Sequence, residues 1–292
     1  MVCIGDLHGN LAKLCALWVK LEAALGAAGL ADATVVFLGD FCDRGPDTRG
    51  VIDWLIEAER ARPAGRTRFI AGNHDFGFAC YLDCLDEPPA GFDVEATLPA
   101  AYTTGFYEWP VGGRGMHYQG RRWGEGSVYN SAETFASYGV PFARTREARE
   151  ALRAAVPQAH KDFLRRLPWV CELDVPWQSF RQLVCVHAGL RVDAPAAPQL
   201  AALRARDVSA VVLQPATHGR IEAFSARGDV IGAHPDLERA GALLVSGHHG
   251  LRRGVGGKGG RIILDHGGGR PDPALPLEAV VLPERLLVGS LD

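Results

Sequence analysis

Three segments share one pattern: Gly5-Asp6-Leu7-His8-Gly9-Asn10, Gly39-Asp40-Phe41-Cys42-Asp43-Arg44-Gly45 and Gly72-Asn73-His74-Asp75. Each follows a short apolar run typical of a buried strand, over residues 2–4, 34–38 and 66–71. The carboxyl ends of parallel strands meet at one edge of an open α/β sheet, where such proteins build their sites. We therefore expect the Asp, His and Asn side chains of the three segments to lie close together.

Helix-length stretches separate these strands. A helix is predicted over residues 10–28, where leucines and Trp18 recur at helical spacing, and a second begins near Pro46. Residues 145–167 predict two further helices that Pro157 divides. The order β-α-β-α-β indicates a parallel sheet with right-handed crossovers.

The second half of the chain is rich in strands. The pattern predicts them over residues 169–175, 180–186, 242–245, 261–264, 279–282 and 286–288. Polar clusters follow three of these strands: His187, His248-His249 and Asp265. The glycine-rich segment 254–260 predicts a hairpin tip. Without an internal repeat or a linker, we expect one domain over residues 1–292.

Composition and charge exclude several classes of protein. The chain has 292 residues and a net charge of −3, so no global basic field attracts nucleic acid. No uncharged apolar stretch reaches about 18 residues, so we expect no membrane span. Asp6 and His8 fall too early to leave room for a signal peptide. Seven cysteines without paired spacing argue against a disulfide framework and for a reducing compartment. These features favour the cytosol, leave entry into the nucleus open, and do not indicate an oligomeric state.

The polar residues at the strand ends form a candidate set of metal ligands: Asp6, His8, Asp40, Asn73, His187 and His248. Mixed carboxylate, imidazole and amide donors suit Mn, Fe or Zn. Asp40 is the natural bridge, because a carboxylate can place one oxygen on each of two cations. Two divalent ions about 3.5–4 Å apart clamp the attacking and leaving oxygens of a phosphoryl transfer. Joint spacing makes simple helix capping a poor explanation of these residues.

Three neighbouring residues complete a candidate catalytic group. The guanidinium fork of Arg44 matches two phosphate oxygens. His74 directly follows Asn73, so its side chain points elsewhere from the same loop, where it can protonate a leaving alkoxide or phenoxide. Asp43 is placed to hold the His74 ring.

These motifs resemble the PPP family of metallophosphatases, whose pattern is GDxHG, GDxxDRG and GNHE or GNHD. His187-Ala188-Gly189 and Gly247-His248 are similar to the later histidine motifs of that family. The resemblance covers almost the whole chain. It implies a metallophosphoesterase-type α/β fold, in which a β-sandwich of two mixed sheets is flanked by helices. It also implies a phosphomonoester hydrolase in which a hydroxide that bridges the metals attacks phosphorus.

The same resemblance divides the ligands into two sets that share Asp40. One set is Asp6, His8 and Asp40, and the other is Asp40, Asn73, His187 and His248. Arg44 then binds the phosphate and His74 is the acid.

Departures from the family pattern narrow the branch. Typical eukaryotic serine/threonine members carry GNHE, HGG and a SAPNYC-like loop, whereas this chain has GNHD, HAG and LDHGGG. Together with VHAGL, LRARD and VSGHHG, these motifs resemble the Rhizobiales-like phosphatases of the bacterial-like branch. That implies a protein phosphatase with phosphorylated protein or peptide substrates and a phosphotyrosine preference. A second phosphate-binding arginine is best matched by Arg206, with Arg220 and Arg227 as rivals.

The segment 86–141 lacks clear periodicity and is expected to be an irregular excursion that shapes the substrate pocket. It contains His117, Arg121, Arg122 and Trp123, which could hold a second anion by fork contacts and stacking. The alternative is a solvated surface loop with ordinary charges.

Other assignments stay open at the level of sequence. His249 either supports the metal ligands or packs beside its neighbour, and Asp265 either contacts the site or caps a turn. A dinucleoside polyphosphate hydrolase uses the same metal motifs and is the main competing function. A phosphoprotein-binding module with a dead site is a further alternative, against which the complete set of ligands and acid argues.

Overall fold

The computed structural model describes residues 1–85, 117–207, 222–267, 270 and 272–291. Within these ranges the chain forms two five-stranded sheets with helices on their outer faces. This is the expected metallophosphoesterase-type α/β sandwich of two mixed sheets.

The first sheet contains the strands that precede the three motifs. Its order is β10-β9-β1-β2-β3, with β1, β2 and β3 parallel and β9 and β10 antiparallel. The strands are β1 (Val2–Ile4), β2 (Val35–Phe37), β3 (Thr67–Phe69), β9 (Glu278–Val281) and β10 (Leu286–Gly289).

The second sheet has the order β4-β5-β6-β8-β7, in which β5, β6 and β8 are parallel. Its strands are β4 (Cys171–Asp174), β5 (Gln182–Cys185), β6 (Ala242–Ser246), β7 (Arg252–Arg253) and β8 (Arg261–Leu264). Each strand predicted from sequence is present, and several are shorter by one or two residues at an end. Antiparallel pairing of β7 with β8 confirms the hairpin around residues 254–260.

Strands buried on both faces explain the continuous apolar runs of the sequence. Cys3 and Val36 of the first sheet pack with Val245 of the second in the layer between the sheets. Their neighbours Val2 and Ile4 point the other way, into a cluster shared with the helices. All seven cysteines are free, as predicted.

The helices of the described residues cover the outer faces. They are α1 (Leu11–Asp32), α2 (Thr48–Ala61), α3 (Asn73–Tyr81), α4 (Tyr118–Gly124), α5 (Ala132–Ser137), α6 (Arg146–Ala155), α7 (Gln158–Arg166), α8 (Ala196–Ala205), α9 (Glu222–Ser225) and α10 (Pro235–Arg239). Helices α6 and α7 confirm the division at Pro157. Helix α1 runs beyond the predicted residue 28, with a non-helical kink at Gly26.

The expectation of an irregular excursion is wrong for residues 117–141, where α4 and α5 form. Helices of seven and six residues are too short for apolar spacing to reveal a period. Residues 86–116 of the predicted excursion lie outside the described residues.

Helix α1 is long and apolar enough, by length and composition alone, to cross a membrane, with a mean hydropathy of 1.5. Helices that pack on a sheet can meet the same criteria. Here Leu14, Leu17 and Leu21 are buried in the cluster between α1 and the first sheet.

Gly5 lies where the end of β1 approaches the end of β8 in the other sheet. A Cβ atom at Gly5 would lie 2.1 Å from the Leu264 carbonyl oxygen, a backbone atom that cannot rotate away. We predict that Gly5→Ala lowers the free energy of unfolding by about 1–3 kcal/mol, because overpacking forces the backbone to shift. Denaturant titration measures the change. Gly256→Ala is the control, since no atom lies within 4 Å of the Cβ position there; equal stability of the two variants would contradict the prediction.

Candidate active site

Polar residues from both sheets meet at one edge of the sandwich. Asp6 and His8 follow β1, and Asp40 follows β2, while His187 and His248 follow β5 and β6 of the second sheet. The backbone N–H of His8 donates to the Asp40 carbonyl oxygen at 2.8 Å, so the first two motif loops are joined directly. The strand ends therefore deliver the candidate ligands to one place, as the sequence predicts.

Asp40 occupies the centre of this cluster. Its Oδ2 lies 3.5 Å from His8 Nε2 on one side and 3.2 Å from His187 Nε2 on the other. His8 Nε2 also lies 3.7 Å from Asp6 Oδ2. Ligand-type atoms of Asp40, His187 and His248 all lie within 4.8 Å of one another. Oδ2 of one carboxylate thus faces two groups of possible ligands. Oδ1 accepts from the His74 backbone N–H at 2.9 Å, so the expectation of one free oxygen for each cation is not met.

Several ligand-type atoms of the candidate site residues are buried and have no hydrogen-bond partner. Among the described residues they include His8 Nε2, Asn73 Oδ1, His187 Nε2 and His248 Nε2. Buried polar atoms in native proteins are almost always paired, so a cluster of exceptions calls for an explanation such as a bound ion. Nitrogen and oxygen donors of this kind fit a transition metal.

Hydrogen bonds fix the orientation of two of the imidazoles. His8 Nδ1 donates to the Cys42 carbonyl oxygen at 2.9 Å, and His187 Nδ1 donates to the Leu38 carbonyl oxygen at 2.6 Å. Because a carbonyl oxygen only accepts, each Nδ1 carries the proton. In a neutral ring each Nε2 would therefore present a lone pair to the cluster, which is the form that binds metal.

The pKa shifts of the cluster indicate that its buried carboxylates are not fully balanced by positive charge. Burial raises the pKa of Asp6 well above its ordinary value, and the Asp265 carboxylate raises it further. Burial disfavours the ionised form of Asp40, but His187 and His74 hold the pKa of that carboxyl well below its usual range. Burial alone would lower the pKa of His187, whereas Asp40 and Asp6 raise it to about 10. A divalent cation would supply the missing charge and leave the imidazoles neutral.

His74 is held between Asp43 and Arg44. His74 Nδ1 donates to Asp43 Oδ2 at 2.7 Å, which confirms the predicted pairing, and Arg44 Nη2 donates to His74 Nε2 at 3.0 Å. An arginine cannot accept, so Nε2 is the acceptor and Nδ1 carries the proton. His74 Nε2 lies 4.0 Å from Asp40 Oδ2, but its lone pair is engaged by Arg44. Ligand-type atoms of His8, Asp40 and His74 lie within 4.8 Å of one another, but the bond to Arg44 leads us to place His74 beside the metal ligands and not among them.

Residues 1–268 match the family model described as calcineurin-like phosphoesterase. The chain belongs to the calcineurin-like phosphoesterase family. Members of the family are hydrolases that use divalent metal ions, and the residue clusters around Asp40 are the candidate places for them in this calcineurin-like phosphoesterase. No curated protein sequence matches the chain.

Several solved structures are similar to the chain at low sequence identity. A cold-active protein tyrosine phosphatase is 15% identical with a TM-score of 0.50, and the match covers 99% of this chain and 77% of that one. A candidate diadenosine tetraphosphatase is 16% identical with a TM-score of 0.49, covering 99% and 91%. A metallophosphoesterase from Sphaerobacter thermophilus is 18% identical with a TM-score of 0.37, covering 99% and 85%. At these identities the likeness concerns the fold and leaves the substrate open.

The expected stacking of Trp123 on a ligand is wrong. The indole ring is fully buried, and its Nε1 donates to Asp43 Oδ2 at 2.8 Å. His117 is half-buried, its Nδ1 accepts from the Gln119 backbone N–H, and burial lowers the pKa of the ring to about 4. A neutral imidazole offers no positive charge to an anion, so this placement disfavours His117 as a phosphate ligand.

Arg122 lies on the side of the site where His74, the candidate proton donor, is found. Its Cζ is 5.9 Å from the centre of the Tyr129 ring, and that ring packs edge-on against His74 with centroids 4.7 Å apart. Arg121 precedes it in the last turn of α4. The structure therefore brings Arg122 near His74 through the Tyr129 ring, and a role of this helix in shaping the substrate pocket stays a prediction.

The rivals for a second phosphate-binding arginine differ in position. Arg206 forms the left-handed cap that ends α8, with φ of 52°. Arg227 donates to the His249 carbonyl oxygen at 3.4 Å. Burial lowers the pKa of His248 most, and the charge of Arg227 makes the smallest of the further contributions in the same direction. This placement favours Arg227 over Arg206. Arg220 lies outside the described residues.

His249 and Asp265 both support the turns that carry ligands. His249 Nε2 donates to the Ala188 carbonyl oxygen at 2.7 Å, joining the turn after β6 to the turn after β5. Asp265 Oδ2 accepts from the Gly250 backbone N–H at 2.6 Å. Asp265 is also close enough to Asp6 to raise the pKa of that carboxyl. The structure thus combines the two readings that the sequence left open for Asp265.

Asp75 is a residue whose role the sequence did not reveal. Its Oδ2 accepts from the backbone N–H groups of Asp40 at 2.7 Å and Gly72 at 2.9 Å, and its Oδ1 accepts from that of Phe41 at 2.8 Å. One buried carboxylate therefore joins the second and third motif loops. Its place in the third motif, directly after His74, was the available signal.

We predict that Asp40→Asn removes metal from both halves of the site, because one carboxylate serves both groups of ligands. Activity should fall by more than about 100-fold. Loss of a residue that only hydrogen-bonds to a metal ligand costs at most about 100-fold, and loss of a shared ligand should cost more. Metal content by mass spectrometry and turnover of p-nitrophenyl phosphate measure the two effects. Asp174→Asn, at the exposed end of β4, is the control. Normal metal content and turnover in Asp40→Asn would refute the bridging role.

Proposed function

We propose that this protein is a metal-dependent phosphomonoester hydrolase of the bacterial-like PPP branch, and that it dephosphorylates proteins or peptides with a preference for phosphotyrosine. The observation that carries the hydrolytic part is the position of Asp40 Oδ2, 3.5 Å from His8 Nε2 and 3.2 Å from His187 Nε2. The buried unpaired atoms around it support two metal positions and not one.

The donor set supports two divalent ions of Mn, Fe or Zn. Asp6, His8 and Asp40 would hold one, and Asp40, Asn73, His187 and His248 would hold the other. When bound, such ions lower the pKa of the attacking water and neutralise phosphate oxygens. Presence of every ligand and of the His74–Asp43 pair supports catalysis over a phosphate-binding module.

Arg44 and His74 suggest how the protein handles the leaving group. In the structure Arg44 donates to His74 Nε2, so the guanidinium would repel a proton on that atom, which would be the second proton of the ring. A bound phosphate offers Arg44 a stronger, bidentate partner. Arg44 would then leave His74, whose Nε2 becomes free to carry a proton to the departing oxygen.

The proposal for the substrate class rests on the residues around His74, the proposed proton donor. Because His74 serves the leaving oxygen, the Tyr129 ring and Arg122 lie where the leaving group departs. A cation beside an aromatic ring suits an aryl leaving group with a further negative charge nearby, such as a peptide phosphotyrosine beside a second phosphate. The same cation would also suit a dinucleoside polyphosphate. Parallel assays with phosphopeptides and with diadenosine tetraphosphate separate the two substrate classes. Faster turnover of diadenosine tetraphosphate would overturn the proposed substrate.

We predict that His74→Asn slows esters with basic leaving groups most, because these need the proton. General acid catalysis contributes about 10²–10⁴-fold, so phenyl phosphate should lose more than p-nitrophenyl phosphate. Measurement of kcat across a series of aryl phosphates gives the dependence, and His160→Asn, on α7, is the control. An equal loss across the series would place His74 in binding instead.

We predict that Arg121→Ala combined with Arg122→Ala abolishes a preference for doubly phosphorylated peptides. A charge-assisted contact contributes roughly 1.5–3 kcal/mol, so the wild-type preference should be about tenfold or more in kcat/KM. The matched control removes two exposed arginines elsewhere, Arg60→Ala with Arg66→Ala. Absence of the preference in wild type, or its survival in the Arg121/Arg122 variant, would exclude a second phosphate site here.

A further inference from the structure

Asp43 is more tightly held than its pairing with His74 requires. It is completely buried, and three side-chain donors reach its carboxylate. His74 Nδ1 and Trp123 Nε1 donate to Oδ2 at 2.7 and 2.8 Å, and Thr134 Oγ1 donates to Oδ1 at 2.6 Å. Two of these donors, Trp123 and Thr134, come from the segment of α4 and α5, far along the chain from the motif loops.

The hydroxyl protons around Asp43 have one consistent arrangement. Thr134 gives its proton to the carboxylate, so in its 3.0 Å contact with Thr48 the Thr134 oxygen must accept. Thr48 is therefore the donor in that contact. Both hydroxyl oxygens also lie within hydrogen-bond distance of the Asp43 backbone N–H, at 3.1 Å from Thr48 and 3.0 Å from Thr134. Asp43 is thus fixed at its backbone and at both carboxylate oxygens.

The indole of Trp123 has no room to turn. It is fully buried and stacked between Phe78, at a centroid distance of 4.8 Å, and Phe135, at 5.7 Å. Ser131 Oγ donates to the Trp123 carbonyl oxygen at 2.8 Å, which holds the end of α4 against the start of α5. The direction of the Nε1–H bond is therefore set by packing.

We propose that Trp123 and Thr134 are positioning residues for the proton transfer to the leaving group. They hold the Asp43 carboxylate in the one orientation that keeps His74 Nδ1 protonated and aims Nε2 at the leaving oxygen. This inference rests on the proposed function, since it assigns the two residues to the action of His74 as the acid. A carboxylate that loses a donor can rotate, and the imidazole bonded to it rotates with it, so proton transfer suffers while metal and phosphate binding do not.

The test compares Thr134→Val, which removes one donor at nearly constant shape, with Trp123→Phe, which removes the other donor and keeps an aromatic but smaller ring. For both variants we expect kcat for phenyl phosphate to fall about tenfold, with a smaller loss for p-nitrophenyl phosphate and with KM and metal content unchanged. Thr134→Ser, which restores the hydroxyl, should recover most of the rate. Tyr138→Phe is the matched control, because it removes a buried hydroxyl of the same segment that bonds to His160 and not to Asp43.

The same substitutions in a His74→Asn background separate positioning from general loosening of the fold. If Thr134 acts through His74, Thr134→Val should cause no further loss of kcat there, whereas a purely structural role predicts the same loss in both backgrounds. Equal losses in both backgrounds, or a Thr134→Val variant with unchanged selectivity for leaving groups, overturn the inference. Should Trp123→Phe fail to fold, Thr134→Val decides alone.

Failure of this inference is distinct from failure of the proposed function. A wild-type protein that hydrolyses neither ester in the presence of Mn, Fe or Zn overturns both. A second outcome is that the wild type hydrolyses the esters while His74→Asn shows the expected dependence on the leaving group. If Thr134→Val and Trp123→Phe then lack that dependence, only the positioning role is overturned.

Discussion

The site depends on one costly arrangement: the buried Asp40 carboxylate lies among three imidazoles and a second carboxylate, Asp6. Without compensating groups, buried charges this close together would shift one another's pKa values and lose their ionised forms. Backbone groups make the arrangement possible, because Asp75 collects three N–H donors from the loops on either side. Asp6 in turn accepts the backbone N–H of His248 at 3.1 Å. Backbone groups thereby hold the loops in place, while the Nε2 atoms of His8, His187 and His248 have no hydrogen-bond partner and stay available for cations.

Backbone conformation shows what this arrangement costs. Five residues of the site have left-handed φ values between 42° and 71°: His8, Asp40, Asp43, Arg44 and His248. Each such residue costs roughly 1–3 kcal/mol unless its surroundings over-determine it. Gly247 shows how tight these surroundings are, since a Cβ there would lie 1.9 Å from Asp6 Oδ1. Strain and close packing are concentrated where the ligands converge, and the sheets and helices around them provide the compensating burial.

Much of this could be read from the sequence. The motifs and polar clusters at strand ends predicted six candidate ligands, and the structure brings five of them together: Asp6, His8, Asp40, His187 and His248. The resemblance of those motifs to a known family implied the sandwich of two mixed sheets. The hydrogen bonds that Trp123 and Thr134 make to Asp43 could not be found in this way, because they span 80 and 91 residues. Both residues lie on helices too short to show a period, and their identities suit an ordinary core. Arg227 could not be distinguished from Arg206 and Arg220 as a second phosphate-binding arginine for a similar reason. It follows a short helix, and no strand-end pattern marks its position.

The bond from His187 Nδ1 to the Leu38 carbonyl oxygen joins a side chain of one sheet to the backbone of the other. Together with the His248–Asp6 contact, it makes the spacing of the ligands a direct measure of how the two sheets are aligned. A conservative exchange in the layer between them, at Val36 or Val245, could slide one sheet by a fraction of an ångström and leave the melting temperature almost unchanged. Such a slip would lower activity before it lowered stability, so we expect the interior of the sandwich to be constrained by alignment as well as by stability. Natural variation in that layer should therefore be narrower than its uniformly apolar chemistry would suggest.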